Sequence, residues 1–496
     1  MKRRELSLDA EEMRELGYRA VDLLVEHFTS LPGKPVTRRS RREAMEELFR
    51  EPLPEAGAPP LEVLERVRRE VFEHIMHLDH PRFFAFVPSP NNFVSVVADA
   101  LAAGFNVFAG TWLEASAPAQ VELVTLDWLR DLFGLPETAG GLFTSGGSAA
   151  NLTALALARH VILEERMEGA VVYGSDQTHS SLERGLRILG FGPRAFRRLP
   201  SDGEFRLDPA QLRSAIAADR AAGSRPFCVI ANAGTTNTGA VDPLPALVEL
   251  CRREGLWLHA DAAYGGAAIF CRRGRSRLEG IGGVDSLSLD PHKWLFQPYE
   301  IGGLLVREAG RLKQAFHVLP EYLKDAAGPP EEVNFCDRGL QLTRSFRALK
   351  LWMSLQVFGR RGFEAAVRRG FELAELAEAA VLEMEDWEVV TGAQMGVITF
   401  RCAPPERTPG QVDALQRALV EAALEEGFSM IVSTELRGRP VLRLCPINPR
   451  TTAEDLRQAL RRLDRHRRRL VEAGEGAGKG PADADPEERP AGGGAG

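Results

Sequence analysis

The spacing of hydrophobic positions changes character twice along this chain. Residues 7–28 place Met13, Leu16, Ala20, Leu23, Leu24 and His27 at helical intervals. Ser7 is the candidate cap, and Leu31-Pro32-Gly33 is the stop. The apolar face of this helix has no partner in the neighbouring sequence, which points to packing on another subunit. Residues 38–50 and 59–80 predict two more helices, parted by a Pro/Ala/Gly-rich stretch at 52–60. From 81 to 300 the pattern becomes an alternation. Short apolar runs at 141–143, 170–173, 227–231, 256–259, 286–289 and 302–306 predict strands, and helical segments at 148–164, 181–189 and 209–222 fall between several of them. Such alternation implies an α/β architecture with a mostly parallel sheet.

After residue 359 the pattern changes again. Strands are predicted at 387–390, 395–401 and 440–444, and helices at 411–426 and 452–470. Thr451 and Glu454 have the spacing of a capping box for the last helix. The reading is a smaller α+β domain. Beyond it, a Gly/Ala/Pro/Glu tail has too little apolar surface to offset ordering, so disorder is expected. The expected division is an N-terminal helical segment at 1–80, a large domain at 81–358, a small domain at 359–472 and a tail at 473–496. No internal repeat of 20–50 residues is present.

Composition narrows the function classes. A chain of 496 residues can hold more than one domain. Its net charge of −7 argues against a nucleic-acid binder. No apolar run reaches the roughly 20 residues of a membrane span, and Met1-Lys2-Arg3-Arg4 lacks a secretory core. Cys228, Cys251, Cys271, Cys336, Cys402 and Cys445 form no C-x-x-C pair. They read as thiols in a reducing compartment, and the expected location is the cytoplasm.

The candidate chemistry lies just after predicted strands, where ligands of parallel sheets bind. Ser286-Leu287-Ser288-Leu289 runs into Asp290-Pro291-His292-Lys293. Lys293 is a candidate imine-forming amine, activated if burial or a neighbouring cation lowers its pKa, with His292 as part of that setting. A solvent-facing lysine after a strand would look the same in isolation. Asp261 ends another strand, and a carboxylate there could hold a pyridine nitrogen protonated; alone it reads equally as a cap. Ala262, Ala263, Gly265 and Gly266 let a flat ligand approach, with Ala263 against one ring face. His179, in the run from Ser175 to Ser181, is the candidate for the opposite face, though a lone histidine near a helix start is more often structural. Gly146, Gly147 and Ser148 open a helix whose amides suit a phosphate. An aldehyde-binding lysine, a ring-nitrogen aspartate and a phosphate cradle together describe a pyridoxal 5′-phosphate site.

Other readings are weaker. Ser145 fails the G-x-S-x-G pattern because Phe143 holds the first glycine position. His74, His77 and His80 follow a spacing of three, but Pro81 ends the run and no acidic partner beyond Asp79 is evident, so no metal is expected. No G-x-G-x-x-G follows a strand, which disfavours a dinucleotide site.

Over residues 5–470 the chain resembles the pyridoxal-phosphate-dependent group II amino-acid decarboxylases, especially the aromatic-L-amino-acid decarboxylase branch. The likeness is carried in order by His80-Pro81-Arg82-Phe83-Phe84-Ala85-Phe86, Ser175 to Ser181, His259 to Tyr264, Pro291 to Trp294 and Arg344 to Trp352. The resemblance implies a fold-type I transferase architecture and a homodimer with the site at its interface and N-terminal helices wrapped around the partner. It implies that Gly147, Ser148 and Asp290 hold the phosphate, that Thr236 lies under the ring substituents, and that Phe86, Pro88, Ser89 and Phe108 line the substrate pocket. It implies decarboxylation of an aromatic L-amino acid to its amine. Tyr322 resembles the loop tyrosine that returns a proton to Cα. Related aldehyde synthases carry phenylalanine there and divert the reaction to oxygen.

The chain departs from the animal enzymes at Asp290, where they have asparagine, and at Phe86, where they have tyrosine. Phe108 and Gly110 alter the pocket size. Thr343 falls where plant relatives vary between glycine and serine, and mildly favours phenyl or phenol substrates over indole. A glutamate-like substrate would need a basic group in the pocket, against which Phe83 to Phe86 argue. An inactive homologue is disfavoured by the retained Lys293, Asp261, His179 and Tyr322.

Overall fold

Apart from one edge strand, the strands of the large sheet are mostly buried, as expected of a sheet covered on both faces. A computed structural model describes residues 6–318, 328–329 and 331–477, the last five by backbone alone. Among these residues the strands are β1 (Gly140–Thr144), β2 (Ala170–Ser175), β3 (Phe196–Leu199), β4 (Arg225–Asn232), β5 (Trp257–Asp261), β6 (Ser286–Leu289) and β7 (Gly302–Val306). Their order is β1-β7-β6-β5-β4-β2-β3. β3, β2, β4, β5 and β6 pair in parallel, and β7 alone runs against its neighbours. The carboxyl ends of β1, β2, β4, β5 and β6 therefore share one edge of the sheet.

The helices are α1 (Ala10–Ser30), α2 (Arg42–Phe49), α3 (Pro60–Arg66), α4 (Phe93–Gly104), α5 (Trp112–Phe133), α6 (Gly147–Ala158), α7 (Ser180–Ile188), α8 (Pro209–Ala221), α9 (Leu244–Glu254), α10 (Arg272–Arg277), α11 (Gly310–Phe316), α12 (Ala348–Leu382), α13 (Pro409–Glu426) and α14 (Ala453–Ala477). β8 (Trp387–Gln394), β9 (Val397–Cys402), β10 (Val432–Leu436) and β11 (Arg439–Leu444) form a second, antiparallel sheet in the order β10-β11-β9-β8. It has its own core, with Ile398, Phe400, Leu415, Leu419, Leu442, Leu456 and Leu460 packed together. The predicted α/β class and the smaller second sheet both appear.

Several local expectations need correction. α1 is capped by Asp9, not Ser7: Asp9 accepts from the amides of Glu11 and Glu12, and Glu12 accepts from the Asp9 amide. The predicted helix at 59–80 stops early. α3 passes into a π turn at Val67–Val71 and a 3₁₀ turn at Phe72–His74, and His77 and His80 lie beyond any helix. β3 and β10 were not anticipated; both are short and partly exposed, so they lack a continuous apolar run. The last capping box is Thr452 with Asp455, one residue later than expected. Thr451 instead donates its hydroxyl to the Pro81 carbonyl. α14 continues to Ala477, past the boundary at 472. α12 also spans the boundary at 358–359, interrupted where Gly359 takes φ +62°. That left-handed residue is tolerated because glycine has no Cβ.

Candidate active site

Five strand ends close around one cavity of about 330 Å³. All nine residues expected to touch the cofactor lie on its wall: Gly147, Ser148, His179, Thr236, Asp261, Ala263, Asp290, His292 and Lys293. They come from the ends of β1, β2, β4, β5 and β6, so the shared edge of the sheet gathers residues as far apart in sequence as Gly147 and Lys293.

Lys293 is fixed by its neighbour. Trp294 is fully buried and stacks on Tyr264 with centroids 5.4 Å apart. Gly370 and Gly396 make room for its indole, since a Cβ on either would come within 2.8–3.0 Å of the Trp294 ring or of Ile447. Removing such a side chain costs about 3–5 kcal/mol, so the lysine leaves the sheet from a rigid post. Its Nζ sits 2.8 Å from Asp290 Oδ2. Burial opposes the charge, but the Asp290 carboxylate outweighs it and raises the ammonium's pKa above its ordinary value. The sequence reading expected a lowered value, because it assigned Asp290 to the phosphate and not to the amine. His292 supplies no cation: burial pushes its pKa down, and its Nδ1 accepts from the Ile301 amide.

Asp261 sits in a polar seam between β5 and β6. Register pairs His259 with Ser286 and Asp261 with Ser288. The alternation in β6 therefore sets leucines on one face and serines on the other, and both faces are buried. Ser288 Oγ donates to Asp261 Oδ1 at 3.1 Å, the Ala263 amide to the same oxygen at 3.2 Å, and Asn151 Nδ2 to Oδ2 at 3.3 Å. His179 caps α7: its Nδ1 accepts from the Ser181 amide at 3.2 Å and lies 2.8 Å from Ser181 Oγ.

At the opposite end α6 begins without a side-chain cap, which leaves its first amides and the positive end of its dipole facing the cavity. A Cβ on Gly147 would come within 2.8 Å of Asp290 Oδ2 and 2.9 Å of Ala263 Cβ, so only glycine keeps this cradle open. Asp290 Oδ1 is buried without a partner. An amine, a cavity lined by His179 and Ala263, a carboxylate and an open helix N-terminus fit pyridoxal 5′-phosphate.

Not every expected residue arrives. Phe86, Pro88, Ser89 and Phe108 are absent from the cavity wall. Phe86 is 58% exposed, Pro88 and Ser89 are buried, and Ser89 Oγ donates to the His292 carbonyl. Ser89 thus braces the lysine segment from behind. Tyr322 lies outside the described residues. His77 meets His27 and Asp79, whose ligand-capable atoms lie within 4.8 Å of one another, and His27 Nε2 is already 2.9 Å from Asp79 Oδ2.

Sequence reasoning missed Asn151, His259, Ser181 and Asn232, which are polar residues buried at the site. It also missed Arg443, which donates to the carbonyls of Thr236 and Phe86 and so ties the small sheet to the cavity rim. A polar residue inside an otherwise apolar helix, as Asn151 is in α6, was the available signal.

The family model described as the pyridoxal-dependent decarboxylase conserved domain matches residues 43–403. The chain is 48% identical to an aromatic-L-amino-acid decarboxylase of Bacillus atrophaeus, over 92% of this chain and 96% of that protein. It is 31% identical to a phenylacetaldehyde synthase of Arabidopsis thaliana, over 91% of this chain and 95% of the relative. Among solved structures it is similar to Oryza sativa TDC with PLP and tryptamine, with a TM-score of 0.89 and 30% identity, covering 93% of this chain and 99% of that one.

Proposed function

This chain belongs to the pyridoxal-dependent decarboxylase family, and on that premise we propose that it decarboxylates an aromatic L-amino acid such as tyrosine, phenylalanine, DOPA or tryptophan to the corresponding amine and CO2. The observation that carries the aromatic assignment is the 48% identity, over nearly the whole chain, to the aromatic-L-amino-acid decarboxylase of Bacillus atrophaeus.

When bound, pyridoxal phosphate supplies an electron sink for the pair left on Cα as CO2 departs. The chain's own residues set up that event. Lys293 would hold the cofactor through Nζ, at the place a substrate amine would take. Asp261 would keep a positive charge on the ring nitrogen. The amides of Gly147 and Ser148 bind phosphate at the start of α6. His179 and Ala263 would flank the ring, and Thr236 would lie near its substituents. Tyr322 is assigned the return of a proton to Cα, on its sequence setting alone.

The aldehyde-synthase reading is favoured by the names of two relatives, both phenylacetaldehyde synthases, and opposed by the tyrosine at 322. We also propose a homodimer acting in the cytoplasm. The exposed apolar face of α1 and six unpaired cysteines support this.

A product assay tests the reading. Purified protein with added cofactor is offered a panel of L-amino acids while amine, CO2, oxygen uptake and peroxide are recorded. Equal amine and CO2 from an aromatic substrate, without oxygen uptake, is the expected result. Aldehyde with oxygen loss would move the assignment to the synthase reading, and turnover only of acidic amino acids would overturn the aromatic one.

A further inference from the structure

Asp261 and His179 are joined by one unbroken chain of hydrogen bonds, and Asn151 is its junction. Its Nδ2 lies 3.3 Å from Asp261 Oδ2 and 3.1 Å from Ser181 Oγ; its Oδ1 lies 3.0 Å from His259 Nε2. Asn151, His259, Ser181 and Ser286 are each at most 4% exposed, so water does not substitute for these bonds.

The polarity of the chain can be deduced. An ionised carboxylate only accepts, so the Asn151 NH2 must face Asp261 and the Oδ1 must face His259. His259 Nε2 therefore carries a proton. Burial keeps this imidazole neutral, with a pKa of about 4, so its Nδ1 accepts from Ser286 Oγ at 2.9 Å. Ser286 in turn accepts from Trp257 Nε1 at 2.9 Å. On the other arm, Ser181 Oγ accepts from Asn151 and directs its own proton to His179 Nδ1, 2.8 Å away. The Ser181 amide donates to the same nitrogen. His179 Nδ1 is thus an acceptor twice over, which leaves its proton on Nε2.

We propose that Asn151 is a positioning residue that holds the Asp261 carboxylate and, through Ser181, fixes His179 as the Nε2–H tautomer. The inference rests on the pyridoxal-phosphate reading of the cavity. It assigns His179 the role of a neutral donor beside the bound ring and makes its state depend on a side chain one helix away. The directionality starts from the charge on Asp261, so the two groups flanking the cofactor are set together.

The test uses Asn151→Asp, which preserves size and removes the donor, and Asn151→Leu, which removes both polar ends. Apoprotein is titrated with pyridoxal 5′-phosphate, and ¹⁵N-histidine spectra of the apoprotein report the tautomers. Wild type is expected to show His179 and His259 protonated on Nε2. Asn151→Leu should weaken cofactor binding by about tenfold or more, the size of one lost hydrogen bond to a charged group. Asn151→Asp should weaken it further, because two carboxylates then face each other. Binding by Asn151→Asp within twofold of wild type, or a wild-type His179 protonated on Nδ1, overturns the proposal. Should Asn151→Leu not fold, the isosteric variant and the wild-type spectra still decide. Failure of the wild type itself to bind the cofactor would instead overturn the functional reading, and the apoprotein spectra stand apart from it.

Discussion

Lys293 Nζ and Asp290 Oδ2 stand 2.8 Å apart at the end of β6, so the amine assigned to the cofactor is held as an ammonium by a carboxylate three residues earlier. Burial alone would favour the neutral amine, and Asp290 reverses that balance. Asp290→Asn should therefore let burial dominate and lower the lysine's pKa. Borohydride trapping of pyridoxal phosphate as a function of pH reads this out: its alkaline midpoint should move to lower pH in the variant. Lys293→Ala should trap nothing and turn over no substrate, with an unchanged circular dichroism spectrum. An unmoved midpoint in Asp290→Asn would show that the carboxylate does not control the amine.

A second charged pair supports the phosphate end of the site from inside the core. Arg344 and Glu122 are 1% and 0% exposed, with Nη2 2.6 Å from Oε1. Arg344 also donates to the Phe143 carbonyl at 2.8 Å, and Glu122 accepts from the Phe143 amide at 2.8 Å. Both therefore grip β1 just before the glycine turn. Glu122→Gln leaves a buried guanidinium without its counter-charge, at a cost of about 3–5 kcal/mol. Thermal unfolding should show a clear drop in midpoint, and pyridoxal phosphate affinity should fall with it. A midpoint within a degree of wild type would mean that the pair is replaceable by neutral hydrogen bonds.

What the sequence revealed depended on how local each signal was. β6 and β7 were legible to the residue, because four or five consecutive buried positions bounded by turn residues leave little choice of element. Most of the nine wall residues were legible for a similar reason: they end or follow a strand, and parallel sheets expose such residues at one edge; Thr236 and Asp290 were assigned to the cofactor only through the family resemblance. Relationships between segments were not legible. No spacing reveals that Asp290 faces Lys293, that Asn151 reaches Asp261 from another element, or that Ser89 donates to the His292 carbonyl. The histidines at 74, 77 and 80 show the converse error. Their spacing allowed His74 and His77 to share a helix turn, with His80 leaving it before Pro81, but the helix ends at His74 through a π turn and a 3₁₀ turn, so His77 lies beyond it too.

His80 gives the fold an acid-side dependence. It is fully buried; Nδ1 accepts from the Arg82 amide at 2.9 Å, and Nε2 lies 3.2 Å from the Lys34 carbonyl. Burial, reinforced by the charge of Arg82, lowers its pKa to about 4. The folded protein thus keeps it neutral where the unfolded chain would protonate it. Its contribution is complete above the ordinary histidine value of about 6.5 and is lost as pH falls toward 4, amounting to about 3 kcal/mol at the acid end. The unfolding midpoint should decline over that interval, and His80→Gln should flatten the decline. Parallel profiles in the two proteins would place the acid sensitivity elsewhere.

Tyr322 is proposed, on its sequence setting, to separate amine from aldehyde chemistry. If its hydroxyl returns the proton to Cα, Tyr322→Phe leaves the carbanion to react with oxygen. The variant should convert a substantial share of its product from amine to aldehyde, with matching oxygen uptake and peroxide. Unchanged amine yield and no oxygen uptake would remove Tyr322 from that role and leave the remaining site assignments untouched.

The N-terminal helix carries the case for a dimer. None of α1 is buried, although Met13, Tyr18, Val21, Leu24 and Val25 are 38–69% exposed. Apolar surface on that scale, repeated along one helix, is costly in water and is normally covered by a partner. If the partner is a second copy, removing residues 1–30 should expose the matching surface on both chains and shift the protein from dimer to monomer in light scattering. Activity should be lost with the dimer, because the expected substrate-pocket residue Phe86 is 58% exposed and absent from this chain's own cavity. A charged substitution at Leu24 should act in the same direction with less disturbance of the fold. A truncated chain that remains dimeric and fully active would show that α1 is dispensable and that the pocket is completed by other means.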